Sequence, residues 1–326
     1  MQKFNQYTTK LLDVYVANAP SMQSRMQIHF YEKMFRFTGE QAYLDLIKKV
    51  LKPEMEERLA NLAKLSSINP SEINPNETVR LTMRRNPLER KRIERRENYY
   101  QQHPMLKYYF VSLTHLQLFF DLQLQNGMYA NAIYKILAQF QSYPWRENFL
   151  KKEHLLIHPV LFINATYFLR ELGIIDFVED VLTLARSLFP ETKLSVDELL
   201  YDQIYVYTHI IINETNFYQQ SISKERADKL QWIFQFFTTH FYEIYQKVNL
   251  DLVLEILLCF KLARVSIDPK IEQTIEEYVM TFFDTQRNCL ISDSLATFED
   301  MEHANILLLM NLLMPNSFSR VKSPLF

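Results

Sequence analysis

Two kinds of helical pattern alternate along the chain. In residues 249–265, Leu250, Val253, Leu254, Leu257 and Leu258 make an apolar stripe at helical spacing. The remaining faces are also mostly apolar, except where Asp251 and Glu255, four residues apart, share one face. The stretch IYVYTHIIINETNF has the same character: Tyr205, His209 and Asn213 follow at i, i+4 and i+8 amid Ile204, Val206, Ile210, Ile211 and Ile212. A helix apolar nearly all round is a buried one, and its few polar groups then face a cavity or a partner. The stretch IEQTIEEYVMTFF is one-sided, as a helix with a wet face should be. Dry helices alternating with wet ones predict an all-α fold with an inner and an outer layer.

Glycine marks where those helices stop. The chain has three, at 39, 127 and 173. Each follows an apolar helix-periodic stretch and precedes another, which ends in Val50-Leu51, Ile136-Leu137 or Val181-Leu182. A glycine after a helix supplies the left-handed cap that a Cβ disfavours. Gly39, Gly127 and Gly173 are therefore expected to be corners of a repeated helical hairpin. Histidines keep the same rhythm, with His29, His115 and His158 preceding those corners by 10, 12 and 15 residues. His115, His158, His209, Asp251 and His303 then succeed one another in steps of 43, 51, 42 and 52. Two helices of about 20 residues with their loops fill ~45 residues, so each step reads as one hairpin. The expected architecture is one domain over residues 1–326, closing into an α/α toroid, with an open α-solenoid as the alternative. The toroid is favoured because its inner helices are dry outside one polar stripe. Asp268 and Pro269 are read as an N-cap and first helical position, and Asn86, Pro87 and Glu89 likewise. Residues 65–79, rich in Ser, Asn and Pro, are read as an exposed loop.

Composition narrows the class. Hydrophobic residues at 48% and aromatics at 14% are ample for a large core, while scarce glycine argues against sheets and tight hairpins. The net charge of −2 creates no global field for nucleic acid or membrane. No apolar run approaches the ~18 residues that span a bilayer, and the polar N-terminus lacks the apolar core of a signal peptide, so the expectation is a soluble cytoplasmic protein. Cys259 and Cys289, both in apolar helical patterns, are read as reduced core residues. Residues 80–97 hold eight Lys/Arg against three Glu, a net charge of +5 that leaves −7 for the rest. This segment is read as a peripheral, exposed basic helix over 80–100. Docking onto the acidic body and an anionic-lipid or nucleic-acid footprint are the alternatives. Nucleic acid is disfavoured, because no aromatic stacking platform precedes Tyr99 and Tyr100.

Three separated glycines cannot form a phosphate-cradling loop, and no Gly-x-Ser-x-Gly elbow occurs. The candidate chemistry lies on the polar stripes. His209, Asp251, Glu255 and His303 form the candidate catalytic set, with Asp251 or Glu255 as base and an imidazole as its partner. His115, His158, Tyr205 and Asn213 are the candidate ligand-binding groups around it. The catalytic four are also types that ligate metals, though the reading commits to no metal or cofactor. Each polar group taken singly is equally a hydrogen-bonded strut between helices, and Asp251 is equally a carboxylate that stabilises a helix start.

The stretches YVYTHIIINETNFY and VNLDLVLEILLCFKL resemble uncharacterised bacterial all-helical families of toroid type, over about the C-terminal half. That resemblance implies a fold and no activity. The toroid plan is similar to that of some glycosidases, terpene cyclases and lanthionine cyclases, but no Asp-rich cyclase box, DxDD run or Cys-plus-His zinc set is present. GMYANAIYKIL resembles the mid-repeat turn of tetratricopeptide hairpins, whose ~34-residue period is shorter than the steps here. Two functions follow: a polar central pocket that binds or transforms a small molecule, sugar or peptide, or a helical-repeat scaffold for a protein partner.

Overall fold

The computed structural model describes residues 6–50, 87–121, 130–292 and 296–314; for a few residues within these ranges, His115 among them, it describes the backbone alone. Gly127 and the expected loop 65–79 lie outside the described residues.

The described chain is mostly helix. In order these are α1 (Thr8–Asn18), α2 (Ser24–Thr38), α3 (41–50), α4 (Pro87–Gln102), α5 (Pro104–Asp121), α6 (Ala130–Ser142), α7 (Trp145–Phe149), α8 (Lys152–Ile157), α9 (Pro159–Glu171), α10 (Val178–Leu188), α11 (Asp197–Glu214), α12 (Lys224–Lys229), α13 (Gln231–Lys247), α14 (Leu250–Ala263), α15 (Pro269–Met280) and α16 (Glu302–Leu313). A short antiparallel pair, β1 (Phe283–Asp284) and β2 (Cys289–Leu290), precedes α16 with Phe283 opposite Leu290. Cys289 thus lies on a strand, not in a helix as its apolar neighbours suggested. Asp284 Oδ1 accepts from the amides of Gln286 and Arg287, and Asn288 turns left-handed at φ 55°, so local polar contacts close a hairpin where helix was expected.

Both described corners behave as expected. Gly39 caps α2 at φ 74°, its N–H donating to Phe35 O at 2.8 Å. Gly173 follows α9 at φ 65°, with Ile174 N reaching back to Leu169 O at 3.0 Å. A Cβ built on Gly173 would meet nothing within 4 Å, so only its backbone conformation demands glycine. Asp268 caps α15 through the Lys270 amide at 2.8 Å, with Pro269 opening the helix, and Pro87 opens α4.

The chain divides into two compact units. The first takes in Met1–Leu51 and Ile210–Val321, the second Lys52–His209 and Lys322–Phe326, and the division falls inside α11. In the first unit α14 packs on α13, α15 and α16, and α16 also packs on α1 and α2. In the second, α9 packs on α5, α8 and α10, while α4 packs on α5 and α8. The aromatics of the second unit fill space between helices: Phe149 stacks on Phe162 at 4.7 Å, and Trp145 donates Nε1–H to Phe140 O at 2.7 Å.

The two helix types are plain in the burial pattern. Across residues 250–263 of α14 only Asp251 and Lys261 are not buried, and across 302–311 of α16 only His303 is not. Across 200–213 of α11 only Tyr205 and His209 are not. In α10 and α15 exposed and buried positions alternate with the helical period.

The basic helix departs in part from its reading. Arg90, Lys91, Glu94 and Asn98 are exposed, as expected of a peripheral helix. Arg92 is buried, however, and Arg95 forms an ion pair with the fully buried Asp202 of α11. One face of α4 is docked within the second unit, because a buried carboxylate needs a cation beside it.

Candidate functional site

The second unit gathers its polar groups where α4, α9 and α11 meet. Arg92, Arg96 and Tyr100 follow at i, i+4 and i+8 along α4. Arg92 stacks over the Tyr205 ring at 4.9 Å and lies 4.0 Å from Asp202 Oδ1. Arg95 donates to Leu156 O at 3.0 Å besides its pair with Asp202. Burial pushes the Asp202 carboxyl up to about 6, against the opposing pull of Arg95 and Arg92. His158, at the junction of α8 and α9, hydrogen-bonds through Nδ1 to the Tyr100 hydroxyl. Burial holds that imidazole well below its usual value, and Arg96, Arg92 and His209 push it the same way. It is therefore neutral in the folded protein. His209 Nδ1 donates to Asn164 Oδ1 at 2.9 Å, which leaves the lone pair of the neutral ring on Nε2. Tyr205 lies one turn away, ring centroids 6.2 Å apart.

The first unit has its own cluster, on α2, α14 and α16. His29 Nδ1 pairs with both Glu302 carboxylate oxygens at 3.0 and 3.1 Å, and the Glu302 main-chain oxygen accepts from Tyr15 Oη at 2.7 Å. The His303 ring lies 5.3 Å from that of His29. One turn along α2, Lys33 Nζ donates to Tyr218 Oη at 3.0 Å and sits 4.3 Å from that ring's centre. Arg36 pairs with Glu32 at 2.7 Å and lies over Phe217 at 4.7 Å. Burial, and then the neighbouring Arg36, lower the Lys33 amine to about 8, while Glu32, Glu255 and Glu302 act in the other direction.

The turn that delivers Phe217 and Tyr218 is unusual. Asn216, Phe217 and Tyr218 take left-handed φ values of 49°, 49° and 73° in succession, without a glycine. Each such residue costs on the order of 1 kcal/mol or more, so other contacts must hold the turn. Thr215 supplies them: its hydroxyl donates to Ile212 O at 2.6 Å and accepts from Tyr218 N at 3.0 Å, and its carbonyl accepts from Gln219 N and Gln220 N.

The expected site residues are thereby placed. His158, Tyr205 and His209 join one cluster in the second unit. Asp251, in the first turn of α14, acts on the buried Tyr15 phenol, and Glu255, buried one turn on, acts on Lys33, Tyr218 and Cys259. Asn249 caps that helix, accepting from Leu252 N at 3.2 Å, so Asp251 is not the cap. Asn213 is buried in the last turn of α11, and His115 lies on α5 with only its backbone described. The imidazole contacts named above tie His209 to an amide and Glu302 to His29. Among the described residues no group of three or more His, Cys, Asp or Glu is gathered to hold a metal ion. A surface cleft of about 490 Å³, sharing Arg95 with the cluster of the second unit, is lined by residues including Lys91, Tyr99 and Glu198.

The sequence reading left Lys33, Glu302, Tyr218, Arg92, Arg96 and Asn164 out of its site. A signal existed for the first: His29, Lys33 and Arg36 form a polar stripe on a helix otherwise carrying Phe30, Tyr31, Met34, Phe35 and Phe37.

These features define an all-helical protein in which polar stripes interrupt buried helices. Residues 4–320 match the family described as Domain of unknown function (DUF3541), and the chain belongs to that family. No curated protein and no solved structure matches it. Among the described residues no helix is long and apolar enough to cross a membrane.

Proposed function

We propose that the chain is an α/α toroid whose inner helices present a polar pocket, and that the pocket binds or transforms a small molecule, sugar or peptide. In this reading Asp251 or Glu255 is the base and His209 or His303 its partner, with His115, His158, Tyr205 and Asn213 as ligand-binding groups. One observation supports it above the rest. Across 200–213 of α11, 250–263 of α14 and 302–311 of α16 the positions that are not buried are all polar: Tyr205, His209, Asp251, Lys261 and His303. Polar groups reached by water on helices otherwise dry are what a ligand cavity supplies. The same reading places the protein in a bacterial cytoplasm, where thiols such as Cys259 and Cys289 stay reduced.

The test is a thermal-shift screen of sugars, short peptides and small acids against the full chain, repeated on Asp251→Asn and His209→Asn. A ligand that stabilises the wild type should lose on the order of tenfold in affinity in each variant, with circular dichroism unchanged. A ligand whose binding ignores both substitutions overturns the pocket. Binding confined to a protein partner puts the scaffold reading first.

A further inference from the structure

Among the described residues, Arg96 shares one carboxylate with two other arginines where α4 meets α9 and α11. Arg92, Arg95 and Arg96 all approach Asp202, and it is the carboxylate that acts on Arg96, whose other electrostatic neighbours are Arg92, Tyr100 and Tyr205. Asp202 itself is engaged by Arg95. The two histidines are satisfied by neutral groups, His158 by the Tyr100 hydroxyl and His209 by the Asn164 amide, so neither brings a negative charge. Arg96 is half-buried, and its Nε donates to Ile157 O at a long 3.4 Å. Its two terminal nitrogens have no protein partner among the described residues, and they are not sealed from water.

A half-buried guanidinium without its own carboxylate raises the free energy of the empty protein. Burial together with the like charge of Arg92 lowers Arg96 to about 10, as expected of a cation short of counter-charge. The group's planar donor pair matches the two oxygens of a carboxylate or phosphate. Tyr205 acts on Arg96, and His209 acts with Arg96 on His158, so these two incompletely buried side chains lie near the guanidinium and offer polar atoms for the rest of a ligand.

We infer that Arg96, with Arg92 beside it and Tyr205 and His209 at the rim, binds a compact oxyanion: the carboxylate or phosphate group of a small molecule. The inference rests on the proposed pocket in sharing Tyr205 and His209, and it gives that pocket a ligand class. It does not depend on Asp251, so the two can fail separately.

The experiment is thermal melting of the full chain in inorganic phosphate, in acetate and in chloride at matched ionic strength, on the wild type and on Arg96→Gln and Arg96→Lys. Phosphate or acetate, but not chloride, should raise the melting temperature by several degrees, and the more effective of the two identifies the anion. Arg96→Gln should abolish that rise and should itself melt higher than the wild type in anion-free buffer, because an uncompensated charge has gone. Arg96→Lys should keep the charge, lose the paired donors and weaken the anion effect on the order of tenfold. Equal effects of chloride and phosphate would overturn the inference. So would an Arg96→Gln protein that melts lower than wild type in every buffer, since that marks Arg96 as a structural strut. An anion effect that survives in Asp251→Asn, beside a ligand screen indifferent to Asp251, leaves this site standing and removes the wider pocket.

Discussion

Among the described residues of the second unit, the charges that enter the interior are arginines of α4, and the buried carboxylate of Asp202 meets them. In the first unit the balance is reversed. Glu32, Glu255 and Glu302 act on one lysine, Lys33, whose neighbour Arg36 pairs with Glu32, and both cations lie over aromatic rings. Both arrangements grow from the same feature, a polar stripe on a buried helix. The flanking helix decides the outcome: α4 brings an excess of positive charge, whereas α2 brings cations that its own glutamate and the aromatic turn 216–218 absorb. Among the described residues the second cluster sets several arginines against one shared carboxylate, and the first holds an amine that loses its proton easily.

The contrast can be broken first at Asp202. Asp202→Ala removes the buried carboxylate that faces Arg92 and pairs with Arg95, and should cost about 3–5 kcal/mol in urea denaturation. A loss below about 1 kcal/mol would mean that water already screens those arginines. Glu302→Gln tests the other side. Its partner His29 is 28% exposed, so solvent takes over much of the lost interaction, and about 1 kcal/mol is expected.

Two pH windows sharpen the comparison, each read as the stability difference between wild type and variant. His158 is held neutral while an unfolded histidine protonates near 6.5. Below that pH the unfolded chain binds the extra proton, so the wild type should lose stability relative to His158→Gln as the pH falls. Lys33 obeys the same sign in a different range. Its folded value is about 8 against an ordinary 10.5, so the unfolded chain binds more protons between the two. The wild type should gain stability relative to Lys33→Met as the pH rises through that window. Windows found the other way round would reverse the assignment of the two clusters. The smallest effect is expected at Asn216→Gly, which relieves one left-handed residue of the turn and should stabilise by roughly 0.5–1 kcal/mol.

Periodicity carried the elements whose cause is local. The dry helices α11 and α14, the corners at Gly39 and Gly173, and the Asp268 cap all follow from spacing and backbone sterics within a few residues. The partners of the polar stripes did not, because they come from far along the chain. Asp202 reads as one more polar residue until Arg95, 107 positions earlier, is seen beside it. Tyr218 could not be assigned to Lys33, because a left-handed turn made of Asn, Phe and Tyr lacks the glycine that announces such turns. The hairpin before α16 was missed for a similar reason: Phe283, Cys289 and Leu290 are apolar enough for either structure, and Asp284 and Asn288 decide between them.

The two cysteines have a practical consequence. The chain has no others, and both belong to the first unit, Cys259 on α14 and Cys289 on β2. Both are buried, and burial pushes both thiols up, so an alkylating reagent meets few thiolates in the folded protein. Alkylation during denaturation therefore times the opening of the first unit alone. Set against the fluorescence of Trp145 in a Trp232→Phe variant, which removes the tryptophan of the first unit, it records in two channels whether the units unfold together or in turn.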